Sequence, residues 1–255
     1  MSPAEAVAVL AAGIGAGTIN TIVGSGTLIT FPVLLAVGLP PVTANVSNAL
    51  GLVPGSVTGA IGYRRELAGQ RSRLLRLGIV GLIGGFSGAV LLVTLPSKAF
   101  DAIVPVLIGA ALVLVVVQPR LARALQARRD RTGADTPAHG GVALVLGMLL
   151  ASMYGGYFGA AQGVLYLSLM GVLLDDTLQR INGLKNVLAA IVNGVAAVFF
   201  VFAAHMDWAA VALIAVGATI GGLIGARVGR RLPPVALRAL IVVVGVAAIV
   251  QLLLK

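Results

Sequence analysis

The chain has 255 residues, of which 59% are hydrophobic and 10% are charged, and its mean hydropathy is +1.06. Soluble domains carry about 25% charged residues, so this composition excludes an ordinary soluble domain and indicates a surface that faces lipid. There is no Cys, and the two His residues, His139 and His205, are far apart, which excludes disulfides and Cys-ligated metals. We therefore predict no metal site and no cofactor.

The net charge of +10 is concentrated in three short basic loops, predicted at 64–76, 118–138 and 227–238. Cytoplasmic loops of membrane proteins carry such an excess of Lys and Arg. The distribution therefore places all three loops in the cytoplasm, predicts a multi-pass protein of the cell inner (plasma) membrane, and argues against a nucleic-acid partner.

The first half of the chain predicts a broken apolar segment followed by three spans. A spanning helix needs about 20 mostly apolar residues, which 5–23 supplies before Gly24-Ser25-Gly26 interrupts it. A run too short to span, 28–38, then ends at Leu39-Pro40-Pro41. The spans predicted after it are 42–62, 77–95 and 99–117.

The second half repeats this order. An apolar segment at 141–158 meets a glycine-rich break that ends at Gly163, and a short run follows at 164–174. Asp175 and Asp176 come next, in a loop where we expect them to be solvated. The remaining predicted spans are 182–204, 209–226 and 235–253.

These elements predict an all-α polytopic membrane protein with about eight hydrophobic spans in about ten helical segments. We divide it into a first repeat (1–118), a basic cytoplasmic linker (119–139) and a second repeat (140–255). Gly26 corresponds to Gly163 and Asn45 to Asn182 in one register, and Asn48 to Asn186 in a register one residue longer. This recurrence is the reason to treat the halves as repeats.

The cytoplasmic loops also fix where the broken segments return. With these loops in the cytoplasm, residues 39–41 lie outside and residues 175–181 lie inside. Each broken segment must then begin and end on the same side of the membrane. It is either a re-entrant hairpin or two short tilted helices. The first enters from outside and the second from inside, which predicts inverted repeats, broken segments that face each other, and both termini outside. If the broken segments were single crossings instead, the halves would be parallel and one Arg-rich loop would face outward.

The breaks are the candidate binding site. Irregular backbone at membrane depth is tolerated only against protein or a water-filled cavity. A helix that restarts at Thr27 presents unpaired N–H groups and the positive end of its dipole, which suits an anion. The candidate substrate-binding residues are Ser25, Gly26, Thr27, Asn45, Ser47 and Asn48 in the first half, and Gln162, Gly163, Asn182, Lys185 and Asn186 in the second.

Structural alternatives accompany this interpretation: Gly and Ser at the breaks are alternatively packing contacts between helices, and the buried Asn residues are alternatively interhelical hydrogen-bonding groups. Lys185 either supplies positive charge to an anion path or snorkels to the cytoplasmic headgroups. Glycines spaced by four residues are interpreted as helix-packing ridges with no substrate role. The ridges are Gly51/Gly55/Gly59, Gly81/Gly85, Gly84/Gly88 and Gly217/Gly221/Gly225.

The positions of the acidic and nucleophilic residues restrict the kinds of transport and catalysis that we predict for this protein. No acid is predicted in the middle of a span, which argues against a carboxylate relay for Na⁺ or H⁺. No nucleophile–base arrangement is visible, so we predict no enzyme. The alternatives that remain open are a transporter or channel for another small solute, and a non-transporting scaffold subunit in the membrane.

Several motifs resemble the sulfite exporter TauE/SafE family over nearly the whole chain. They are Gly15-Ala16-Gly17, Gly24-Ser25-Gly26, Pro32, Gly38-Leu39-Pro40-Pro41, Ala44-Asn45, Pro54-Gly55-Ser56, Gly62-Tyr63-Arg64 and, in the second half, Arg180-Ile181-Asn182-Gly183-Leu184-Lys185-Asn186. The resemblance implies a secondary transporter, and an exporter, of small sulfur-containing anions such as sulfite, sulfoacetate, thiosulfate or related organosulfonates. The expected partners are the anion and the lipid bilayer, and a homodimer is left open.

Overall fold

The computed structural model describes residues 1–132 and 140–228, together with residues 242, 243 and 246. Apart from those three residues, the predicted span at 235–253 lies outside the described part, as do residues 133–139 of the linker. Helices and no strands occur within the described residues. The helices are α1 (Pro3–Ile22), α2 (Thr27–Ala36), α3 (Pro41–Gly62), α4 (Arg71–Thr94), α5 (Ser97–Thr132), α6 (Gly141–Tyr157), α7 (Gln162–Leu173), α8 (Leu178–Ala203) and α9 (Trp208–Val228).

The helices have the lengths of a membrane bundle. Within the described residues, five stretches are long and apolar enough to cross a membrane: α1, α4, the Ser97–Val117 part of α5, α8 and α9. Three further apolar helices, α2, α6 and α7, are shorter. The all-helical, multi-pass character is thus confirmed, whereas the number of about eight spans stays a prediction.

Two of the predicted basic loops are partly helical. Helix α4 begins at Arg71, so only residues 63–70 of that region are loop, and α5 continues to Thr132 through the first part of the predicted loop 118–138. The sequence interpretation ended each helix where the apolar run ended. Arg, Ala, Leu and Gln are strong helix formers, so a helix continues past its apolar part when such residues follow.

The two ends of the bundle are defined by contacts between distant loops. At one end, which we call the Trp208 end, Met1, the turn 37–40 and the turn 205–208 line one cleft of about 610 Å³. At the other end, the Asp176 end, loop 63–70 meets the connection between α7 and α8, where Arg180 donates to the Ala68 carbonyl at 3.0 Å. Helix α3 runs from the Trp208 end to the Asp176 end, and α8 runs back.

Each broken segment is a hairpin. The start of α1 and the end of α2 meet at the Trp208 end, since Met1 and Gly38 line the same cleft. The start of α6 lies against the end of α7, where a Cβ on Gly140 would be 3.1 Å from the Leu173 carbonyl oxygen. Residue 174 leads directly to Asp176, so this second hairpin has its mouth at the Asp176 end.

The helix contacts of one half match those of the other. Helix α1 packs on α9 as α6 packs on α4, and α3 packs on α9 as α8 packs on α4. Contacts among α1, α2 and α3 correspond to contacts among α6, α7 and α8. The two halves therefore exchange helices, because each packs its broken segment against the fourth helix of the other.

The predicted glycine ridges are close-packing surfaces at every position except Gly81, where a Cβ would be 3.5 Å from its nearest neighbour, an ordinary contact distance. A Cβ on Gly221 of α9 would lie 2.1 Å from the Ile14 carbonyl oxygen of α1, and one on Gly88 of α4 would lie 1.9 Å from the Met153 carbonyl oxygen of α6. Helices in lipid approach this closely only where small residues line the contact. The ridges therefore hold the two exchanged helix pairs together.

Overpacking one ridge should separate α1 from α9. We expect Gly221→Ala to lower the free energy of unfolding by about 1–3 kcal/mol, because the added methyl group has no space. Gly194→Ala is the matched control, since a Cβ there meets no atom within 4 Å. It should be neutral or stabilise by up to about 1 kcal/mol. Thermal unfolding of the purified protein in detergent measures both, and equal midpoints for the two variants would contradict the packing role.

Asp176 is the centre of an ionic network and not the solvated residue that the sequence predicted. Its carboxylate lies 2.6 Å from the Arg73 guanidinium and 2.8 Å from that of Arg180, and its side chain is 11% exposed. Burial alone would raise the pKa of the Asp176 carboxyl, but hydrogen bonds from Arg73, the Thr177 N–H and Arg180 outweigh burial and hold the pKa below its ordinary value. The network ties α4 to the start of α8.

This lowered pKa predicts a pH-dependent contribution to stability. The folded state favours the carboxylate, so the contribution is complete above the unfolded pKa of about 3.9 and is lost as the pH falls through the lower folded pKa. We expect Asp176→Asn to cost about 1–3 kcal/mol at pH 7 and the difference from wild type to shrink below about pH 4. Thermal unfolding across this pH range tests it, with Asp101→Asn, at an exposed position, as the control. A difference that is independent of pH would contradict the assignment.

Candidate functional site

The two breaks are sharp backbone turns. Helix α1 ends at Ile22, and Gly24 turns the chain with φ +88° before α2 begins at Thr27. In the second half, Gly159 at φ +77° and Ala161 at φ +58° turn α6 into α7. The left-handed region costs a residue with a Cβ about 1–2 kcal/mol, so Ala161 is held there by its surroundings.

The breaks face each other, as the sequence predicts. The N–H of Gly163 donates to the Gly24 carbonyl at 2.9 Å. A Cβ on Gly24 would lie 2.3 Å from the Cα of Gly163, and a Cβ on Gly163 would lie 2.4 Å from the Cα of Gly24. Because backbone meets backbone, neither position has room for a side chain.

The carbonyl end of α1 is covered by polar side chains of α8. The Lys185 ammonium donates to the carbonyls of Asn20 at 2.8 Å and Thr21 at 3.1 Å. Asn182 and Asn186 each donate to the Thr21 carbonyl at 3.2 Å. The last carbonyls of a helix have no partner within it and carry partial negative charge. These three side chains therefore supply donors and a positive charge where α1 needs them.

Lys185 does not snorkel to the headgroups. It is 0% exposed, and its ammonium faces the end of α1 in the interior, so that alternative for Lys185 is excluded. Within residues 1–132 and 140–228, no carboxylate lies within ion-pair distance of the ammonium. A buried cation is ordinarily paired with an anion. Among the described residues, the charge of Lys185 faces the carbonyls and the dipole at the end of α1.

The start of α2 supplies unused donors beside this cation. The N–H groups of Ser25, Gly26 and Thr27 donate to no group in the described part of the chain. The Ser25 hydroxyl is also buried without a partner, on a residue that is 1% exposed. Because Gly24 contacts Gly163, which in turn lies against the Lys185 side chain, these donors and the ammonium belong to one region.

Asn48 fixes this start of α2 from α3. Its amide donates to the Thr27 hydroxyl at 3.2 Å, and its carbonyl oxygen accepts from the Thr30 hydroxyl. The Thr27 side chain is therefore held in place, while its backbone N–H stays without an acceptor. This arrangement leaves backbone donors and the Ser25 hydroxyl available to a ligand.

The second break has the same plan, but its Gln162 side chain and its Gly163 N–H are occupied. Asn45 of α3 donates to the Tyr157 carbonyl at the end of α6 at 2.9 Å, as its counterpart Asn182 does at the end of α1. Gln162, however, donates to the Tyr166 hydroxyl at 2.7 Å, and that hydroxyl bonds Ser152 at 2.7 Å. The Gly163 N–H is bound to Gly24. The start of α7 therefore offers a ligand less than the start of α2.

The predicted residues fall into separate groups. Ser25, Gly26, Thr27 and Asn48 surround the start of α2, and Gly163, Asn182, Lys185 and Asn186 adjoin them at the end of α1. Asn45 and Gln162 serve the second break. Ser47 is not part of this region, because its hydroxyl accepts from the Asp207 N–H at 2.9 Å, at the Trp208 end.

The sequence analysis did not identify the backbone carbonyls that accept from the α8 side chains, or the hydroxyl groups that support the two breaks. Asn20 and Thr21 contribute backbone carbonyls, which no side-chain pattern marks. Thr30 and Tyr166 support the breaks through their hydroxyls, and Thr30 follows the break at helical spacing from Thr27, which is a usable signal.

The donors of this region suit a small anion, and anion binding there stays a prediction. The region combines a buried positive charge with unpaired backbone N–H groups and a free hydroxyl, which is the donor set that oxyanions prefer. The predicted residues around both breaks that carry side chains are at most 6% exposed, so the site is closed to solvent in this structure. Among the described residues, no group of His, Asp and Glu could hold a metal ion.

Comparison with known proteins agrees with a transporter. The Escherichia coli K12 protein named probable membrane transporter protein YfcA is 27% identical over 239 residues, which cover 93% of this chain and 86% of the relative. The probable membrane transporter protein ORF9 of Sinorhizobium is 27% identical over 245 residues, covering 93% and 88%. A probable membrane transporter protein of Haemophilus influenzae is 24% identical over 218 residues, covering 84% and 81%.

No solved structure matches the chain. The family described as sulfite exporter TauE/SafE matches residues 9–252, nearly the full length. The broken helices, the buried polar residues around them and this match lead to one conclusion: the protein is a multi-pass membrane protein that belongs to the sulfite exporter TauE/SafE family of membrane transporters.

Proposed function

We propose that the protein is a secondary carrier that exports small sulfur-containing anions such as sulfite, sulfoacetate, thiosulfate or related organosulfonates. The observation that carries the proposal is the buried Lys185 ammonium, which has no carboxylate partner in the described part of the chain and lies beside the unused donors at the start of α2. An oxyanion there would compensate the charge of Lys185 and accept from the Ser25 hydroxyl and the N–H groups of residues 25–27.

The chemistry of the site favours this class of substrate. Sulfur oxyanions present several acceptor oxygens around a compact centre, and they suit a convergent set of N–H and O–H donors. The site needs no nucleophile and no metal for binding alone. We therefore propose transport without chemical conversion of the anion.

We further propose that the halves are inverted repeats and that access alternates between them. Three features support this: α3 and α8 run in opposite directions, the hairpins open toward opposite ends, and the helix contacts of the halves match. In carriers of this construction the substrate lies between the repeats, and one repeat moves against the other. The Trp208 end would face outside, and the Asp176 end, with its arginines, the cytoplasm.

The proposed direction follows from charge. Moving one elementary charge through a potential of 100 mV changes its free energy by about 2.3 kcal/mol. A potential that is negative inside therefore drives an anion outward without a further energy source. Export is the direction that this potential favours.

Transport in proteoliposomes tests the function and the site together. Wild-type protein should carry labelled sulfite, sulfoacetate or thiosulfate, and competing sulfur anions should inhibit the flux. Ser25→Ala should weaken the apparent affinity about tenfold or more, because a hydrogen bond to a charged ligand is worth about 1.5–3 kcal/mol. Its thermal stability should not change, because the Ser25 hydroxyl has no partner in this structure.

Ser87→Ala is the matched control. Ser87 is exposed on α4 and bonds only the Ile83 carbonyl of its own helix, so both affinity and stability should stay at wild-type values. Absence of flux for every sulfur anion would refute the proposed substrate class, and flux of another solute in the same vesicles would support the alternative carrier. An unchanged affinity in the Ser25→Ala protein would remove Ser25 from the site.

The proposed orientation can be tested with single cysteines, since the chain has none of its own. His205→Cys lies at the Trp208 end and Arg65→Cys at the Asp176 end, and both positions are exposed. In intact cells, a thiol reagent that cannot cross membranes should label the His205→Cys protein directly. It should label the Arg65→Cys protein only after permeabilisation, and the reverse pattern would refute the orientation.

A further inference from the structure

The Lys185 ammonium occupies the kind of place that a coupling cation takes in carriers built from broken helices. In such carriers the carbonyl ends of half-helices and unwound carbonyls coordinate Na⁺ or a proton site. Here the carbonyls of Asn20 and Thr21, at the end of α1, receive the ammonium at 2.8 and 3.1 Å. A cation attached to the protein therefore lies where other carriers bind one from solution.

We propose that Lys185 is the proton-binding site through which this carrier couples anion transport to proton movement. The inference rests on the proposed function and adds the coupling ion to it. With the anion bound, Lys185 is an ammonium. When the anion leaves, one N–H bond breaks, the proton passes to water on the open side, and the electron pair stays on the nitrogen.

The energetics of burial support this exchange. An isolated charge in a protein interior costs several kcal/mol unless an opposite charge compensates it. Lys185 is 0% exposed and has no carboxylate at ion-pair distance in the described part of the chain. A bound anion would supply the missing negative charge. By linkage, proton and anion then increase each other's affinity by the same factor, so they bind and leave together.

The fold can tolerate both protonation states. A neutral amine keeps two N–H groups, which can still donate to the Asn20 and Thr21 carbonyls. Asn182 and Asn186 continue to donate to the Thr21 carbonyl in either state. The end of α1 therefore keeps its hydrogen bonds when the proton leaves, and only the charge changes.

The surroundings offer few other groups for this role. Among the described helices, those that make the main contacts with α8 are α1, α3, α4, α6 and α7, and α3 carries no titratable residue. Tyr63 and Glu66 approach α8 at Gly183, and Arg180 lies on α8 itself, at the Asp176 end. The titratable residues on the contacting helices are Glu5 on α1, Arg71, Arg73 and Arg76 on α4, Tyr154 and Tyr157 on α6, and Tyr166 on α7. None of these side chains is hydrogen-bonded or ion-paired to Lys185.

The inference is compatible with export. A divalent anion that moves with one proton carries a net charge of −1. The inside-negative potential therefore still favours its exit, by about 2.3 kcal/mol per 100 mV. Transport that uses a proton on Lys185 would need no Na⁺.

The test measures protons and anions in the same vesicles. Wild-type proteoliposomes containing a pH-sensitive dye, with the membrane potential clamped, receive labelled thiosulfate, and separately labelled sulfoacetate; both anions are fully ionised at neutral pH. We expect about one proton to move with each anion, since one lysine holds one releasable proton. Replacing Na⁺ by choline should not change the flux.

Lys185→Arg separates a proton carrier from a fixed positive charge. The guanidinium can donate to the same carbonyls but does not lose its proton in proteins. The number of protons moved per anion should therefore fall by about tenfold or more, whatever the remaining rate. Lys98→Arg makes the same change at an exposed lysine and should keep the wild-type ratio.

Three results would overturn the inference: anion flux without protons in the wild type, a Na⁺ requirement, or a wild-type proton ratio in the Lys185→Arg protein. If the Lys185→Arg protein carries no anion, the number of protons moved per anion in the wild type decides. A value near one supports the inference, and a value near zero contradicts it. Absence of flux for all sulfur anions in the wild type refutes the proposed function instead, so the two failures are distinguishable.

Discussion

The structure depends on the need to satisfy backbone groups where helices stop inside a membrane. No water is available there to bond the last carbonyls or the first N–H groups, so protein must do it. At the end of α1 three side chains of α8 supply donors, and at the end of α6 Asn45 of α3 does the same. Each half therefore completes the broken helix of the other.

The two breaks differ in which of their hydrogen-bonding groups have partners. Around the second break, Gln162, Tyr166 and Ser152 bond one another, while the Tyr157 hydroxyl is left without a partner among the described residues. Around the first break, the Ser25 hydroxyl has no partner and the Lys185 ammonium has no carboxylate at ion-pair distance within the described residues. The two halves thus match in their helix contacts but differ at their breaks, since the buried cation lies at the first.

Much of this arrangement could be predicted from the sequence, because it rests on local signals. Glycine clusters in the sequence predicted both breaks. The distribution of arginines predicted that loop 63–70 and the region of Asp176 lie on one side of the membrane. In the structure, a hydrogen bond from Arg180 to the Ala68 carbonyl connects these two regions. The target of Lys185 could not be predicted, because a backbone carbonyl leaves no mark in a sequence. The same limit applies to Ser47, whose polar character suggested the site although its partner is the N–H of a distant turn.

The contact between Gly24 and Gly163 has a consequence for biogenesis. The first half leaves the ribosome and enters the membrane before α7 and α8 have been made. During that interval the Asn20 and Thr21 carbonyls lack Lys185, and Gly24 lacks its partner. On its own, the α1–α2 hairpin would leave these carbonyls without a donor, and an unsatisfied backbone group in lipid costs several kcal/mol. We therefore expect water or the insertion machinery to shelter the hairpin until the helices of the second half arrive.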